Sequence, residues 1–259
     1  MAFARHQNLH TRGEMDNEIH QPFFRYFEGK QIAPHKEAVI VDTKWVQLSF
    51  LLDRSGSMSS FNTEKIIESI KSFITDQMAG KEDHKFTITV FSFDDKVRIV
   101  FDNEIKTVDD VKITVYDISP RSGTALIEAN AFGIEYIGRK CANWGTTNGD
   151  SRPATVVFAT MTDGEENYSS GEWNGKPGQD KLSAIVKEHT EKWEWKFFFL
   201  AANIDSQATG SVMGYNVDQC IDFHTSNEGY DNAFQSCSRA VHENRGFSQE
   251  ERNSSLNPF

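Results

Sequence analysis

The order of hydrophobic and polar residues alternates between strand-like and helix-like segments along most of the chain. Residues 45–60 read WVQLSFLLDRSGSMSS, an apolar run that ends abruptly in an aspartate and a serine-rich loop. Apolar residues dominate this run, at positions 46, 48, 50, 51 and 52, and we interpret it as a strand buried on both faces, as expected at the centre of a parallel sheet. Residues 64–80 then place isoleucine and phenylalanine at helical spacing and end in Gly80, which predicts a helix.

The same reading predicts alternating strands and helices downstream. Strands are predicted at residues 86–93, 97–101, 154–162, 196–202 and 219–223, and helices at about 108–112, 125–139, 180–193, 206–215 and 232–244. The first two of these strands form a hairpin around Asp94-Asp95-Lys96, and loops occupy residues 117–124, 141–153 and 165–179. The predicted fold class is α/β: a doubly wound, mostly parallel sheet with helices on both faces and one antiparallel edge hairpin.

The length and the net charge of the chain indicate its domain organisation and the partners that it can bind. The 259 residues predict one domain at 44–246, an N-terminal extension at 1–43 and a C-terminal tail at 247–259. The net charge is −11, from 27 basic and 38 acidic residues, and Lys and Arg are not clustered. We therefore expect no nucleic-acid partner, because phosphate binding needs a basic patch.

The spacing of the cysteines and the hydropathy of the chain indicate the cellular compartment in which we expect the protein. Cys141, Cys220 and Cys237 show no C-x-x-C spacing, which favours reduced thiols, although a Cys220–Cys237 bridge is geometrically possible. The first residues contain no apolar signal segment, and no stretch approaches the roughly 18 apolar residues of a membrane span. We expect a cytoplasmic protein without a membrane partner.

Hard oxygen donors follow two buried strands and precede one helix. Asp53, Ser55 and Ser57 come directly after the first strand, Asp163 follows the strand at 154–162, and Thr124 lies in the loop before a helix. The carboxyl ends of parallel strands open on one sheet edge, so these side chains are expected to converge there. Two carboxylates and three hydroxyls suit Mg²⁺, with Mn²⁺ or Ca²⁺ also possible. Each hydroxyl alone has a simpler explanation as a helix cap, and the aspartate before Gly164 as a turn.

Three short motifs in this order resemble the von Willebrand factor A (vWA) domain with a metal-ion-dependent adhesion site (MIDAS). They are D-R-S-G-S at 53–57, S-G-T-A-L at 122–126 and T-D-G at 162–164, and the resemblance covers roughly residues 44–246. The resemblance implies that the two serines and the threonine contact the metal directly or through water. It also implies that the aspartates hold the metal's waters and that a partner's Glu or Asp completes the shell. The sequence DRSGSM resembles bacterial or bacteriophage members of this family more than it resembles secreted adhesion proteins.

Several other residues are expected near the site, and the sequence allows more than one role for some of them. Four side chains of the loop at 165–179 are candidates for its rim, either contacting a partner or simply solvated: Glu165, Glu166, Tyr168 and Trp173. Asp94 and Asp95 are interpreted as a turn, and Glu128 as a charge on a helix face. The loop at 141–153 precedes a strand and is expected at the opposite sheet edge.

The predicted function is that of a cation-dependent protein-binding module that presents Mg²⁺ to an acidic residue of a partner protein, in a scaffold or regulatory role. A metal-dependent hydrolase and a structural component of a phage particle are the alternatives. No histidine lies near the motifs, and no G-x-S-x-G or P-loop sequence is present, so we expect no enzyme activity. Asp53→Ala or Thr124→Ala is expected to remove cation binding and keep the fold, since the ligands are expected on loops.

Overall fold

The computed structural model describes residues 40–147 and 151–256 of the chain. Within these ranges six strands form one sheet: β1 (Ile40–Asp53), β2 (Lys85–Phe93), β3 (Val97–Ile105), β4 (Ser151–Thr162), β5 (Lys196–Ala201) and β6 (Cys220–Asp222). The helices in the same ranges are α1 (Thr63–Met78), α2 (Leu126–Thr147), α3 (Gly175–Trp193), α4 (Ser206–Val212), α5 (Asn227–His242) and α6 (Gln249–Leu256).

The strand order is β3-β2-β1-β4-β5-β6, and only the β2–β3 pair in this sheet is antiparallel. The chain fills one side of the sheet from β1 to β3 and then returns to start the other side with β4. The neighbours β1 and β4 therefore form the point where the winding direction reverses, the usual ligand position in open α/β sheets. The predicted fold class is confirmed.

The central strand β1 is buried on both faces. Leu48, Phe50 and Leu52 pack into the core beneath α1 and α5, whereas Leu51 packs into the core beneath α2 and α3. Helices α1 and α5 contact each other over the first face, and α2 and α3 over the second. The burial of β1 on both faces, which includes the polar side chains of Gln47 and Ser49, is thus explained by a helical layer on each side of the sheet.

Several boundaries differ from those predicted. Helix α2 continues to Thr147 through most of the predicted loop at 141–153, of which residues 148–150 lie outside the described ranges. Helix α3 starts at Gly175, so Pro177 sits in its first turn, where the missing N–H of proline is tolerated. Helix α5 starts five residues early because Ser226 caps it, its side chain accepting a hydrogen bond from Gly229 N.

The two ends of the chain also differ. Strand β1 begins at Ile40, inside the predicted extension, whose residues 1–39 lie outside the described ranges. Helix α6 forms within the predicted C-terminal tail and packs against α5. Its sequence, QEERNSSL, has too few apolar residues to show helical periodicity, so the helix could not be predicted from its pattern.

The three cysteines are free thiols, and all three are buried. The disulfide between Cys220 and Cys237, which the sequence left open, is therefore not formed. Burial raises the pKa of the Cys141 thiol to about 12. None of the helices within the described ranges combines the length and the apolar character needed to cross a bilayer.

Candidate metal centre

The loop after β1 folds back on its own aspartate. Asp53 is the last residue of β1, and its Oδ1 accepts a hydrogen bond of 2.6 Å from the backbone N–H of Ser55. A short 3₁₀ turn, Gly56–Ser60, follows immediately. Asp53 and Ser55 are 2% and 1% exposed, so the carboxylate and the first hydroxyl lie beneath the surface.

Ser57 connects this loop to the loop after β4. The Oγ atoms of Ser55 and Ser57 are 3.0 Å apart, and Ser57 Oγ donates a hydrogen bond of 2.7 Å to Asp163 Oδ1. Ser57 is exposed whereas Asp163 is buried. The two loops therefore meet through side-chain oxygens, as their positions at the ends of neighbouring parallel strands predict.

The loop before α2 brings Thr124 to the same place. The carbonyl of Ser122, at a left-handed φ of 58°, accepts a hydrogen bond of 3.0 Å from Gly56 N. A Cβ atom added to Gly164 would lie 3.2 Å from Thr124 Oγ1 and 3.4 Å from Ser57 Oγ. The hydroxyls of Thr124 and Ser57 thus flank the same glycine, and all five predicted site residues gather at one sheet edge.

Two residues outside the five predicted site residues shape this edge. Thr162 Oγ1 donates a hydrogen bond of 2.5 Å to Asp53 Oδ2. Asp94 Oδ2 accepts one of 2.6 Å from Arg121 Nε and lies 3.3 Å from Arg54 Nε, and its carbonyl accepts one from Ala125 N. Thr162 belongs to the T-D-G motif and could have been read from it, whereas nothing in the sequence distinguishes Asp94 from a turn residue.

Asp94 does form the predicted turn, since its Oδ1 accepts a hydrogen bond of 3.0 Å from Lys96 N. Burial raises the pKa of its carboxyl, but the hydrogen bonds from Arg121 and the turn outweigh burial, so the net pKa is lowered. The ionised carboxylate therefore holds the arginines on both loops.

The sequence model of the von Willebrand factor type A domain matches residues 47–190, more than half of the chain. The chain belongs to the von Willebrand factor type A domain family. The matched range contains all three motifs and the five gathered oxygen donors. No curated protein matches the chain significantly in sequence.

Solved structures share this fold at low sequence identity. The vWF domain of a type V pilus tip protein from Porphyromonas gingivalis is 11% identical with a TM-score of 0.52, covering 80% of this chain and 99% of that one. The pilus adhesin SpaC from Lactobacillus rhamnosus GG is 13% identical with a TM-score of 0.56, covering 80% and 31%. Proximal thread matrix protein 1 from the mussel byssus is 17% identical with a TM-score of 0.51, covering 79% and 49%. The chain spans less than half the length of the last two proteins, and these likenesses show the fold alone.

The candidate metal site contains two carboxylate side chains that are both buried. Burial raises the pKa of Asp53 to about 6, hydrogen bonds from Thr162 and Ser55 oppose the rise, and the nearby Asp163 adds to it. Burial also raises the pKa of Asp163, against the hydrogen bond from Ser57. A divalent cation between the two carboxylates would offset this cost of burying like charges.

The donor set of the vWA site fits a hard cation. Its five side chains offer carboxylate and hydroxyl oxygens, without sulfur or imidazole. Across the described ranges, no group of three or more His, Cys, Asp or Glu side chains could hold a metal ion, so hydroxyls are needed to complete the shell here. The residues therefore fit Mg²⁺, Mn²⁺ or Ca²⁺.

The rim candidates divide into distinct roles. Tyr168 is 54% exposed and Glu165 is also exposed, whereas Trp173 is buried and cannot line the rim. Glu166 turns away from the site toward the first turn of α2. Glu128, interpreted as a helix-face charge, instead accepts a hydrogen bond of 3.2 Å from Ser170 N, and burial raises its pKa.

Proposed function

We propose that this vWA domain is a divalent-cation-dependent protein-binding module that offers a bound Mg²⁺ to an acidic side chain of a partner protein. The observation that carries the proposal is the line of oxygens from Ser55 through Ser57 to Asp163, with spacings of 3.0 and 2.7 Å across two loops. The residues that would hold the ion are Asp53, Ser55, Ser57, Thr124 and Asp163. The ion would supply an electrophilic position for a carboxylate from outside.

The burial of the donors supports a site that is open on one side. Asp53 and Thr124 are each 2% exposed and form the floor, whereas Ser57 is exposed at the mouth. The two aspartates would balance the charge of a divalent cation, so a further carboxylate from a partner would not meet uncompensated negative charge. A neutral surface would gain less from such a site than an acidic one.

The hydroxyl contacts argue against a serine nucleophile at this site. Ser55 and Ser57 hydrogen bond each other, and Ser57 also bonds Asp163, so in the described part of the chain both pair with oxygen rather than with an imidazole base. A nucleophilic serine needs a neighbouring general base. The cytoplasmic location, the bacterial or bacteriophage setting and the scaffold or regulatory role stay predictions.

Calorimetric titration with Mg²⁺ and Mn²⁺ tests the site. The wild type should bind, and Ser57→Ala and Thr124→Ala should each weaken binding by about tenfold or more, the loss of roughly 1.4 kcal/mol or above. Ser59→Ala is the matched control, because Ser59 is an exposed serine of the same 3₁₀ turn outside the motif. Equal cation uptake by Ser57→Ala and Ser59→Ala would contradict the proposal.

Partner binding is tested by capture from a lysate of the source cell in Mg²⁺ and in EDTA, with Ser57→Ala as the negative control. A protein retained only by the wild type in Mg²⁺ supports the binding module, and an acidic-to-amide substitution in that protein should release it. Phosphatase or nuclease turnover that requires Mg²⁺ and is lost in Ser57→Ala would instead establish the hydrolase.

A further inference from the structure

The segment Glu166–Ser170 lies against the first turn of α2, and the Glu166 carboxylate makes several of the contacts that hold it there. Glu166 Oε2 accepts hydrogen bonds of 2.8 Å from Ile127 N and 2.6 Å from Ser169 Oγ. Its Oε1 accepts bonds of 2.8 Å from Tyr168 N and 2.6 Å from Ser169 N. Glu166 thus has four donors, from its own loop and from the helix, and none from the candidate metal ligands.

These contacts cap α2 from another part of the chain. The first N–H groups of a helix lack partners within the helix, and an anionic acceptor at this end is favourable. Here Glu166 accepts from Ile127 N, and Ser169 Oγ accepts from Glu128 N at 3.1 Å. In return, Glu128 Oε2 accepts from Ser170 N at 3.2 Å, so the two segments bind each other reciprocally, as in a capping box.

The same loop also holds the backbone of Thr124. The carbonyl of Thr124 accepts hydrogen bonds from Asn167 N at 3.0 Å and Tyr168 N at 3.1 Å. Its N–H donates one of 2.9 Å to Asn167 Oδ1. A Cβ on Gly123 would lie only 2.6 Å from Tyr168 Cδ2, so glycine allows this close approach. The backbone of Thr124 is therefore fixed by residues four and five positions after Asp163.

We propose that Glu166 and Asn167 are positioning residues that join the Thr124 loop and the Asp163 loop into one rigid unit, so that cation affinity depends on a carboxylate outside the shell. The inference rests on the proposed cation site. We call the contacts of Glu166 and Asn167 with residues 124–127 the clamp. Without the clamp, the cation itself would have to order the two loops relative to each other, which lowers affinity. The clamp should also transmit cation binding to the first turn of α2.

Glu165 provides a matched control for this proposal. Glu165 is exposed and directly precedes Glu166 in the sequence. Glu165→Ala therefore removes the same negative charge at the neighbouring position. Both variants therefore change the charge near the site equally, and only Glu166→Ala removes the clamp. We expect Glu166→Ala to weaken Mg²⁺ binding by about tenfold relative to Glu165→Ala, as is typical for residues that orient metal ligands. Glu166→Gln keeps one acceptor oxygen and should recover part of the loss.

Hydrogen exchange in the cation-free protein gives a second readout, independent of metal loading. The amides of Ile127 and Thr124 should exchange faster in Glu166→Ala than in Glu165→Ala, whereas amides of the central strand β1 should be unchanged. Equal Mg²⁺ affinity in both variants, or unchanged exchange at Ile127 in Glu166→Ala, would overturn the proposal. If the wild type binds no cation, the proposed function fails, and the exchange rates still decide whether Glu166 holds Thr124.

Discussion

Thr162 Oγ1 donates a hydrogen bond of 2.5 Å to Asp53 Oδ2 and so joins the ends of β4 and β1 across 109 residues of sequence. The other carboxylate oxygen of Asp53 accepts from Ser55 N. The same threonine hydroxyl accepts a hydrogen bond of 3.2 Å from Gly164 N. Both oxygens of Asp53 are therefore oriented by the protein itself, at the point where the sheet reverses its winding.

Thr162→Val should weaken cation binding while keeping the size of the side chain. We expect Mg²⁺ affinity to fall by about tenfold, since the Asp53 carboxylate loses the group that orients it. The free energy of unfolding should fall by about 1 kcal/mol for the lost buried hydrogen bond. Calorimetric titration and urea denaturation measure the two effects. Thr75→Val on the exposed side of α1 is the control, and wild-type affinity in Thr162→Val would refute the role of this contact.

Gly164→Ala should reduce cation affinity through crowding. The added Cβ would lie 3.2 Å from Thr124 Oγ1, so this hydroxyl must shift by a few tenths of an ångström, and it would lie 3.4 Å from Ser57 Oγ, at the lower limit of ordinary contact. Gly56→Ala is the matched control, because it adds a Cβ to another glycine of the same site. This Cβ would lie 3.5 Å from Ser122 O, which is an ordinary van der Waals contact. We expect a loss of several-fold in Mg²⁺ affinity for Gly164→Ala, with a stability change below about 1 kcal/mol in both variants. Equal affinities of the two variants would contradict the arrangement.

The sequence predicts the fold and the gathered oxygens because both follow from strong local signals. The largely apolar run of β1 places it at the centre of the sheet, and parallel strands place their carboxyl ends on one edge. The convergence of Ser57 and Asp163 follows from that geometry without knowledge of any side-chain contact. Asp53, however, ends β1 and is buried with two hydrogen-bond donors, so the expectation that Asp53→Ala leaves the fold unaffected rests on a loop position that it does not have.

The supporting contacts could not be predicted, because they join residues far apart in sequence. Glu166 looks like a solvated loop charge until the first turn of α2 is placed against it. Asp94 looks like a turn residue until Arg121 folds over it. In both cases a short polar segment is explained by its tertiary partner, and periodicity carries no information about such partners.

Asn130→Ala should destabilise the domain more than its size suggests. Asn130 Oδ1 accepts hydrogen bonds of 2.8 Å from Thr160 Oγ1 and 2.7 Å from the Tyr215 hydroxyl, in the core beneath α2. The substitution leaves two buried hydroxyls without this acceptor, at a cost of about 2–3 kcal/mol in the free energy of unfolding. Urea denaturation of Asn130→Ala, Thr160→Val and the double variant measures it. Strictly additive effects would show that the network is not coupled.

Glu251→Gln should change the acid stability of the domain, because this carboxylate attaches α6 to α5. Burial raises the pKa of Glu251, but hydrogen bonds from Arg245 and Arg239 outweigh burial and bring it to about 2. A carboxyl whose folded pKa lies below its ordinary 4.5 stabilises the fold above that pH and loses this contribution as the pH falls toward 2. At neutral pH we expect Glu251→Gln to lower the free energy of unfolding by about 1–3 kcal/mol.

Urea denaturation at neutral pH and at about pH 3 tests this linkage. The difference between wild type and Glu251→Gln should shrink at the lower pH, because part of the wild-type contribution is lost there. Glu250→Gln, an exposed neighbour on the same helix, should match the wild type at both values. A difference that stays constant with pH would mean that Glu251 stabilises the helix through packing alone, and not through its charge on the two arginines.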